Sequence, residues 1–284
     1  MSDRIAVIGA GQMGNGIAHV FAQAGFPVTM IDVSDASLER GVATITKNLD
    51  RQVKKGTIDA AAQSATLARI ATHTSLDAAG DATVVIEAAT EKESLKFDLF
   101  TQLDAIAPAG AILASNTSSI SITQIGARTR RPADVIGMHF MNPVPVMQLV
   151  EVIRGIATSD ATTARTVELA RVVGKTPCEA NDFPGFIANR ILMPMINEAF
   201  YCLMEGVGTA ESIDTVMKLG MNHPMGPLTL ADFIGLDTCV AILDVLHKGL
   251  GDPKYRACPL LRKYVDAGWL GRKAGRGVYI YPAS

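Results

Sequence analysis

The sequence predicts an α/β chain, a doubly wound and mostly parallel sheet followed by an all-helical C-terminal domain. Three observations carry this. Short β-branched runs alternate with longer amphipathic stretches through the first two thirds of the 284 residues, a pattern that builds parallel sheets with right-handed crossovers. A glycine-rich turn, GAGQMG (Gly9–Gly14), follows the first apolar run directly and opens a helical stretch. After TPCEAN the texture changes, and from Ile187 onward the pattern is helical, with no convincing strand before VYIY near the end.

In order along the chain, RIAVIGA, PVTMIDV, ATVVIEAA and AILASNT read as buried strands. NGIAHVFAQAG, ASLERGVATITKNLDRQVKKG and KFDLFTQLDAI read as helices between them. DVIGMHF and QLVEVI read as two further strands. The MNPVPVM that joins them is too short for a helical crossover, so an antiparallel hairpin is expected there. NDFPGF, with Pro184 and Gly185, has the turn-forming residues of a linker. Beyond it, IANRILMPMINEAFYCLMEGV, AESIDTVMKLGM and LDTCVAILDVLHKGL are helical in pattern. The expected division is residues 1–182 for the doubly wound domain, 183–187 for a linker and 188–284 for the helical domain.

Composition narrows the function classes. With 26 basic and 28 acidic residues and a formal net charge of −2, a nucleic-acid-binding surface is not expected. No apolar run approaches the roughly 20 residues that a membrane span needs. Cys178, Cys202, Cys239 and Cys258 form neither a CxxC pair nor a cluster with histidines, so neither a metal site nor a disulfide framework is expected. The opening MSDRIAVIGA enters a strand pattern without the features of a secretory signal. A soluble, cytoplasmic protein is the expectation. A mean hydropathy of +0.24 is high for such a protein. Together with Met193, Met195, Met204, Met217, Met221 and Met225 in the helical region, it hints at an apolar face for a second copy, although methionine is more often core filler.

The glycine turn is the first motif with chemistry in it. Gly9 permits the tight turn, Gly11 lets the backbone approach a pyrophosphate, and Gly14 permits close packing of helix on strand. The helix N-terminus offers unpaired N–H groups and a favourable dipole to phosphates. GxGxxG alone is weak, but here it lies between a strand and a helix, and Asp32 ends the second strand. A carboxylate there accepts from the adenine-ribose hydroxyls and repels a 2′-phosphate, favouring NAD over NADP. The first domain is therefore expected to be of Rossmann type, holding NAD through Gly9, Gly11, Gln12, Met13, Gly14 and Asp32.

The second motif is GMHFMNPVPVMQLVEV (Gly137–Val152), an almost uninterrupted apolar stretch with one histidine and one glutamate. A hairpin centred on Pro145 sets residue 139 opposite 151 and 140 opposite 150. Residues directly opposite project from the same face with Cβ atoms about 5 Å apart, so His139 and Glu151 would meet and form an acid–base pair. A core histidine and an edge glutamate, each satisfied locally, fit the spacing equally well. The third motif, SNTSSIS (Ser115–Ser121), follows the strand AILAS where an open α/β sheet binds its ligands; on its own it reads more simply as a helix cap. The fourth is a basic stripe, Lys47, Arg51, Lys54 and Lys55, which by itself is an ordinary solvated helix face.

Taken together, SNTSS, GMHFMNPVPVMQLVEV, FPGFIANRI and HPMGPLTLADFIGLD resemble the L-3-hydroxyacyl-CoA dehydrogenase family. The resemblance runs from GAGQMG to the closing GRKAGRGVYIY, essentially the whole chain. It implies that His139 is the general base and that Glu151 orients it. Ser118 and Asn189 are implied to hydrogen-bond the reacting end of the substrate, and Glu91, Lys96, Asn142 and Lys273 to contact the cofactor. It gives the basic stripe a purpose, with Lys55, Lys54 and the neighbouring Asn48 implied as contacts for an acyl-CoA substrate. The family is dimeric through its helical domain, so a homodimer is implied too. The reaction implied is reversible NAD-linked oxidation of a (3S)-3-hydroxyacyl-CoA. Two other readings stay open on sequence grounds. One is a related NAD-dependent dehydrogenase of a sugar acid or hydroxyacid, against which the basic stripe speaks. The other is a non-catalytic NAD-binding sensor, which would have no need of serine, histidine, glutamate and asparagine together.

Overall fold

A computed structural model describes residues 3–282. They fall into two compact units, one ending at Asp182 and the other beginning at Phe183.

The first unit is built on one eight-stranded sheet in the order β3-β2-β1-β4-β5-β6-β7-β8. Its strands are β1 (Ile5–Ile8), β2 (Val28–Ile31), β3 (Ile70–His73), β4 (Val84–Glu87), β5 (Ile112–Ser115), β6 (Val135–Phe140), β7 (Leu149–Arg154) and β8 (Thr176–Asn181). The helices are α1 (Gln12–Gln23), α2 (Asp35–Lys54), α3 (Ala60–Ala68), α4 (Glu93–Ile106), α5 (Ile122–Gly126) and α6 (Asp160–Val172). Every neighbouring pair of strands is parallel except β6 and β7, which are antiparallel, as the short connection between them requires. The strand order reverses between β1 and β4, and in such sheets ligands bind beyond the carboxyl ends of the strands at that switch point.

β1, β4 and β5 are buried at every position, which is why they read as continuous apolar runs. The two strands that the apolar pattern misses are the two edges. β3 is mostly exposed and carries a single large apolar residue, Ile70, while β8 is mostly exposed and contains Pro177, a residue tolerated at a sheet edge. α6 also escapes the pattern, because part of its buried face is threonine. Thr162, Thr163 and Thr166 are buried, and their hydroxyls donate to the carbonyls of Ala133, Ser159 and Thr162. In the core, Ile17 and Phe21 of α1 join Leu38, Ile45 and Leu49 of α2, together with the strands from Val7 to Val152. Within α1 the imidazole of His19 is fully buried, and neither ring nitrogen has a hydrogen-bond partner among the described residues.

The second unit is helical: α7 (Ala188–Met204), α8 (Ala210–Thr215) running into a single π-helical turn (Val216–Gly220), α9 (Pro227–Ile234), α10 (Leu236–Leu250) and α11 (Pro259–Asp266). Its core joins Met193, Ile196 and Phe200 of α7 to Leu228, Leu236, Leu243 and Leu246. VYIY forms no strand beyond an isolated bridge between Ile280 and Arg276. Instead the buried carboxylate of Asp232 accepts from the backbone N–H groups of Val278 and Tyr279 and from the Tyr281 hydroxyl, and so ties the end of the chain to α9.

No helix among the described residues is long and apolar enough to cross a membrane, and no group of residues among them forms a metal site.

Candidate active site

The glycine turn joins β1 to α1 at the switch point. Gly9 has φ +103°, a conformation that disfavours a side chain, and a Cβ there would sit 2.7 Å from the carbonyl oxygen of Ala88. At Gly14 a Cβ would lie 1.8 Å from the Gly9 carbonyl oxygen, so this glycine is required chiefly by the turn folded over it. At Gly11 a Cβ would meet nothing within 4 Å, and the turn is open on that side. Gly11 is the N-cap of α1 and has no side chain to occupy the free N–H groups of the first turn, where Gln12 and Met13 stand. A cavity of about 300 Å³ opens beside them, lined by Gly11, Gln12, Asn15 and Arg40 among others. A dinucleotide pyrophosphate fits this arrangement of open backbone, uncapped helix and cavity. Asp32 follows β2, and its carboxylate accepts from the N–H groups of Ala10 and Ser34 at 2.8 and 3.2 Å. The cap of α2 is Ser34, which leaves Asp32 at the turn.

The hairpin has the register that the spacing predicts: His139 pairs with Glu151 and Phe140 with Val150. Both ionisable side chains are buried, and His139 Nδ1 lies 2.8 Å from Glu151 Oε2. The connecting turn is held from behind by Lys175, a buried ammonium that donates to the carbonyls of Val144 and Met147 at 2.6 and 2.8 Å. At the start of the turn, Asn142 Oδ1 accepts from Gln12 Nε2 at 3.1 Å, so these two predicted cofactor residues are brought together.

The serine stretch follows β5. Glu91 reaches over it from the β4–α4 connection, and its Oε1 accepts from Thr117 Oγ1 (2.6 Å), Ser118 N (2.9 Å), Ser118 Oγ (3.2 Å) and Ser119 Oγ (3.1 Å). Lys96, on α4, is almost wholly buried, with Nζ 2.6 Å from Glu87 Oε1 and 3.3 Å from Glu91 Oε2. Burial pushes the Glu91 carboxyl upward, but the Lys96 charge and the hydrogen bonds from Thr117 and Ser118 outweigh it and hold the group below the usual carboxylate range. Asn116 connects the serine stretch to the hairpin: its Oδ1 accepts from Phe140 N at 2.9 Å, one residue beyond His139. Sequence reading missed Glu87 and Asn116. A glutamate ending an otherwise apolar strand was the available signal for Glu87.

Asn189 is in the first turn of α7, in the second unit. Lys273, also in that unit, pairs with Asp237 at 2.7 Å. Lys47, Arg51 and Lys54 of α2, and Lys55 at its C-cap, are exposed, with Asn48 partly so and bonded to Arg51 at 3.3 Å. None of the four cations is ion-paired with another described residue, and the opposite face of the helix buries Leu38, Ile45 and Leu49.

A glycine turn at the switch point of a doubly wound sheet, backed by a carboxylate after β2, defines a dinucleotide-binding protein. Comparison with known proteins makes this specific. Residues 4–183 match the NAD binding domain of 3-hydroxyacyl-CoA dehydrogenase, and residues 185–281 match the C-terminal domain of the same enzyme. The chain is 59% identical over 278 residues to a probable 3-hydroxybutyryl-CoA dehydrogenase of Bacillus subtilis, covering 98% of this chain and 97% of the relative. It is 59% identical to a 3-hydroxybutyryl-CoA dehydrogenase of Bradyrhizobium diazoefficiens, covering 98% of this chain and 95% of that one. Among solved structures, the (S)-3-hydroxybutyryl-CoA dehydrogenase of Ralstonia eutropha matches with a TM-score of 0.97 and 52% identity over 100% of both chains. The chain belongs to the 3-hydroxyacyl-CoA dehydrogenase family, and its first unit is that family's NAD-binding domain.

Proposed function

We propose that the protein catalyses the reversible NAD-linked oxidation of a short-chain (3S)-3-hydroxyacyl-CoA, such as 3-hydroxybutyryl-CoA, to the 3-oxoacyl-CoA. The observation that carries the reading is the 2.8 Å contact between His139 Nδ1 and Glu151 Oε2, in a chain 59% identical to a probable 3-hydroxybutyryl-CoA dehydrogenase. Bound at the glycine turn, NAD supplies the acceptor for the hydride that leaves C3. His139 does the proton chemistry. With Nδ1–H donating to the Glu151 carboxylate, Nε2 has the lone pair that takes the proton of the substrate hydroxyl. Glu151 fixes that tautomer and stabilises the imidazolium formed, from which the reverse reaction returns the proton to the oxygen of C3. Ser118 and Asn189 hydrogen-bond the reacting end of the substrate and hold it for the transfer. Glu91, Lys96, Asn142 and Lys273 serve the cofactor side, Asp32 selects NAD by accepting from the ribose hydroxyls, and Lys54, Lys55 and Asn48 meet the phosphates of CoA.

The second unit leaves Ile191, Met204, Val207, Val216, Leu219, Met221 and Phe233 exposed. Exposed apolar side chains on this unit, in a chain of this family, support a homodimer formed through it. Light scattering at micromolar concentration measures the mass, and a monomer would remove the dimer from the proposal. The activity itself is tested by NADH consumption with acetoacetyl-CoA, longer 3-oxoacyl-CoAs and a keto sugar acid side by side. Turnover of acetoacetyl-CoA is the expected result. Consumption with the sugar acid alone, or NADH binding without any turnover, would overturn it.

A further inference from the structure

Behind the serine stretch lies a buried charge array whose innermost member touches neither the cavity nor the dyad. Glu87 ends β4 and is fully buried, and Lys96 is 1% exposed. Glu87 Oε1 accepts from Lys96 Nζ at 2.6 Å and from Ala89 N at 2.7 Å, while its Oε2 accepts from Ser115 Oγ at 2.6 Å. Lys96 then stands 3.3 Å from Glu91 Oε2. Two carboxylates therefore share one ammonium. The inner carboxylate grips the first residue of the serine stretch, Ser115, and the outer one grips Thr117, Ser118 and Ser119.

Stability alone is a poor reason for such an array. An apolar trio of similar volume would serve a core at least as well, whereas a buried ion pair specifies one geometry among several. What the array specifies here is the serine stretch, held at its first residue and through its middle by a unit that Lys96 locks together. Without Glu87, the buried ammonium has only the more exposed Glu91 to neutralise it. Its most economical response is to swing toward Glu91, drawing that carboxylate off the Ser118 amide and hydroxyl.

We propose that Glu87 is a positioning residue for Ser118: acting through Lys96 and Glu91, it fixes where the Ser118 hydroxyl is held. This rests on the role given above to Ser118 in holding the substrate. The test is a double-mutant cycle on kcat and KM for acetoacetyl-CoA, with Glu87→Gln, Ser118→Ala and the pair. Glu87→Gln is expected to lower kcat by about 10–100-fold, because displacing a positioning group by about 1 Å costs on the order of 100-fold. KM for NADH should change less. In the Ser118→Ala background, Glu87→Gln should have almost no further effect on kcat. If the two losses multiply, Glu87 acts on the enzyme generally and the proposal fails. Hydrogen exchange of residues 115–121 is an arm that needs no activity. It should quicken in Glu87→Gln while exchange in β1 and β7 stays as in the wild type, and unchanged exchange at 115–121 would overturn the proposal even if acetoacetyl-CoA proves not to be a substrate. Should Glu87→Gln not fold, Glu87→Leu/Lys96→Met removes both charges together, with the same quickening expected and the same lack of change overturning it. A wild type that binds NADH but does not turn over acetoacetyl-CoA would sink the proposed function and leave the exchange arm to decide this inference.

Discussion

The hairpin and the serine stretch hold their functional side chains in opposite ways. His139 and Glu151 face each other because two strands pair in one register, and a single 2.8 Å contact joins the side chains. Ser118 lies in a connection with no ladder of its own, and several donors converging on Glu91 hold it there. Register is set by the whole hydrophobic pattern of two strands, and a slip by one residue would turn every side chain over, so that contact is robust to distant changes. It joins one imidazole to one carboxylate, so removing either side chain removes it. The convergent arrangement has the reverse properties: it tolerates losing one donor and fails when the carboxylate at its centre moves.

The largest expected effect lies on the hairpin. His139→Ala should lower kcat by about 10²–10⁴, the usual contribution of a placed acid–base group, with little change in the dissociation constant for NADH. Near-normal turnover would mean that the single contact has no catalytic meaning. Glu151→Gln should come next, at about 10–100-fold in kcat, as expected for a buried charge-assisted bond. A loss no greater than twofold would place the hairpin contact in the same tolerant category as the serine stretch. The smallest effect should be that of Ser119→Ala, which removes one donor of several from Glu91. Its kcat should stay within about threefold of the wild type, and a loss as large as that of Glu151→Gln would erase the contrast.

The same contrast explains what could be read from the sequence. The pairing of His139 with Glu151 was legible as one of two readings that fit the spacing equally: once the turn is centred on Pro145, each residue has one partner, but the spacing does not by itself fix that centre. The shape of the glycine turn and the place of Asp32 after β2 were legible because a tight strand-to-helix turn demands glycine where a side chain would clash. Glu87 and Asn116 were not, because they act through contacts between connections far apart in the chain, such as Ser115 to Glu87 and Phe140 to Asn116. The edges of the sheet were lost for another reason. β3 and β8 have one side turned to solvent, and their pattern of exposed polar residues resembles that of a loop. α6 was hidden by its threonines, whose hydroxyls are satisfied within the helix or by a neighbouring carbonyl and so bury as if apolar.

His19 gives the first unit a dependence on proton concentration that none of the catalytic groups accounts for. Burial pushes its pKa down to about 4, and the charge of Lys175 adds to that shift. In the unfolded chain an imidazole titrates near ~6.5. Between those values the folded unit excludes a proton that the unfolded chain binds, so folding there releases one. The contribution is complete above about pH 6.5 and drains away as the pH falls toward 4, a loss of up to about 3 kcal/mol. Urea midpoints measured across that interval should therefore fall more steeply for the wild type than for His19→Leu, whose apolar side chain has no proton to take up. Parallel curves would mean that the buried imidazole finds a way to carry its charge. If the curves diverge, the unit unfolds in mild acid with a proton taken up at the centre of α1, where no part of the catalytic cycle reaches.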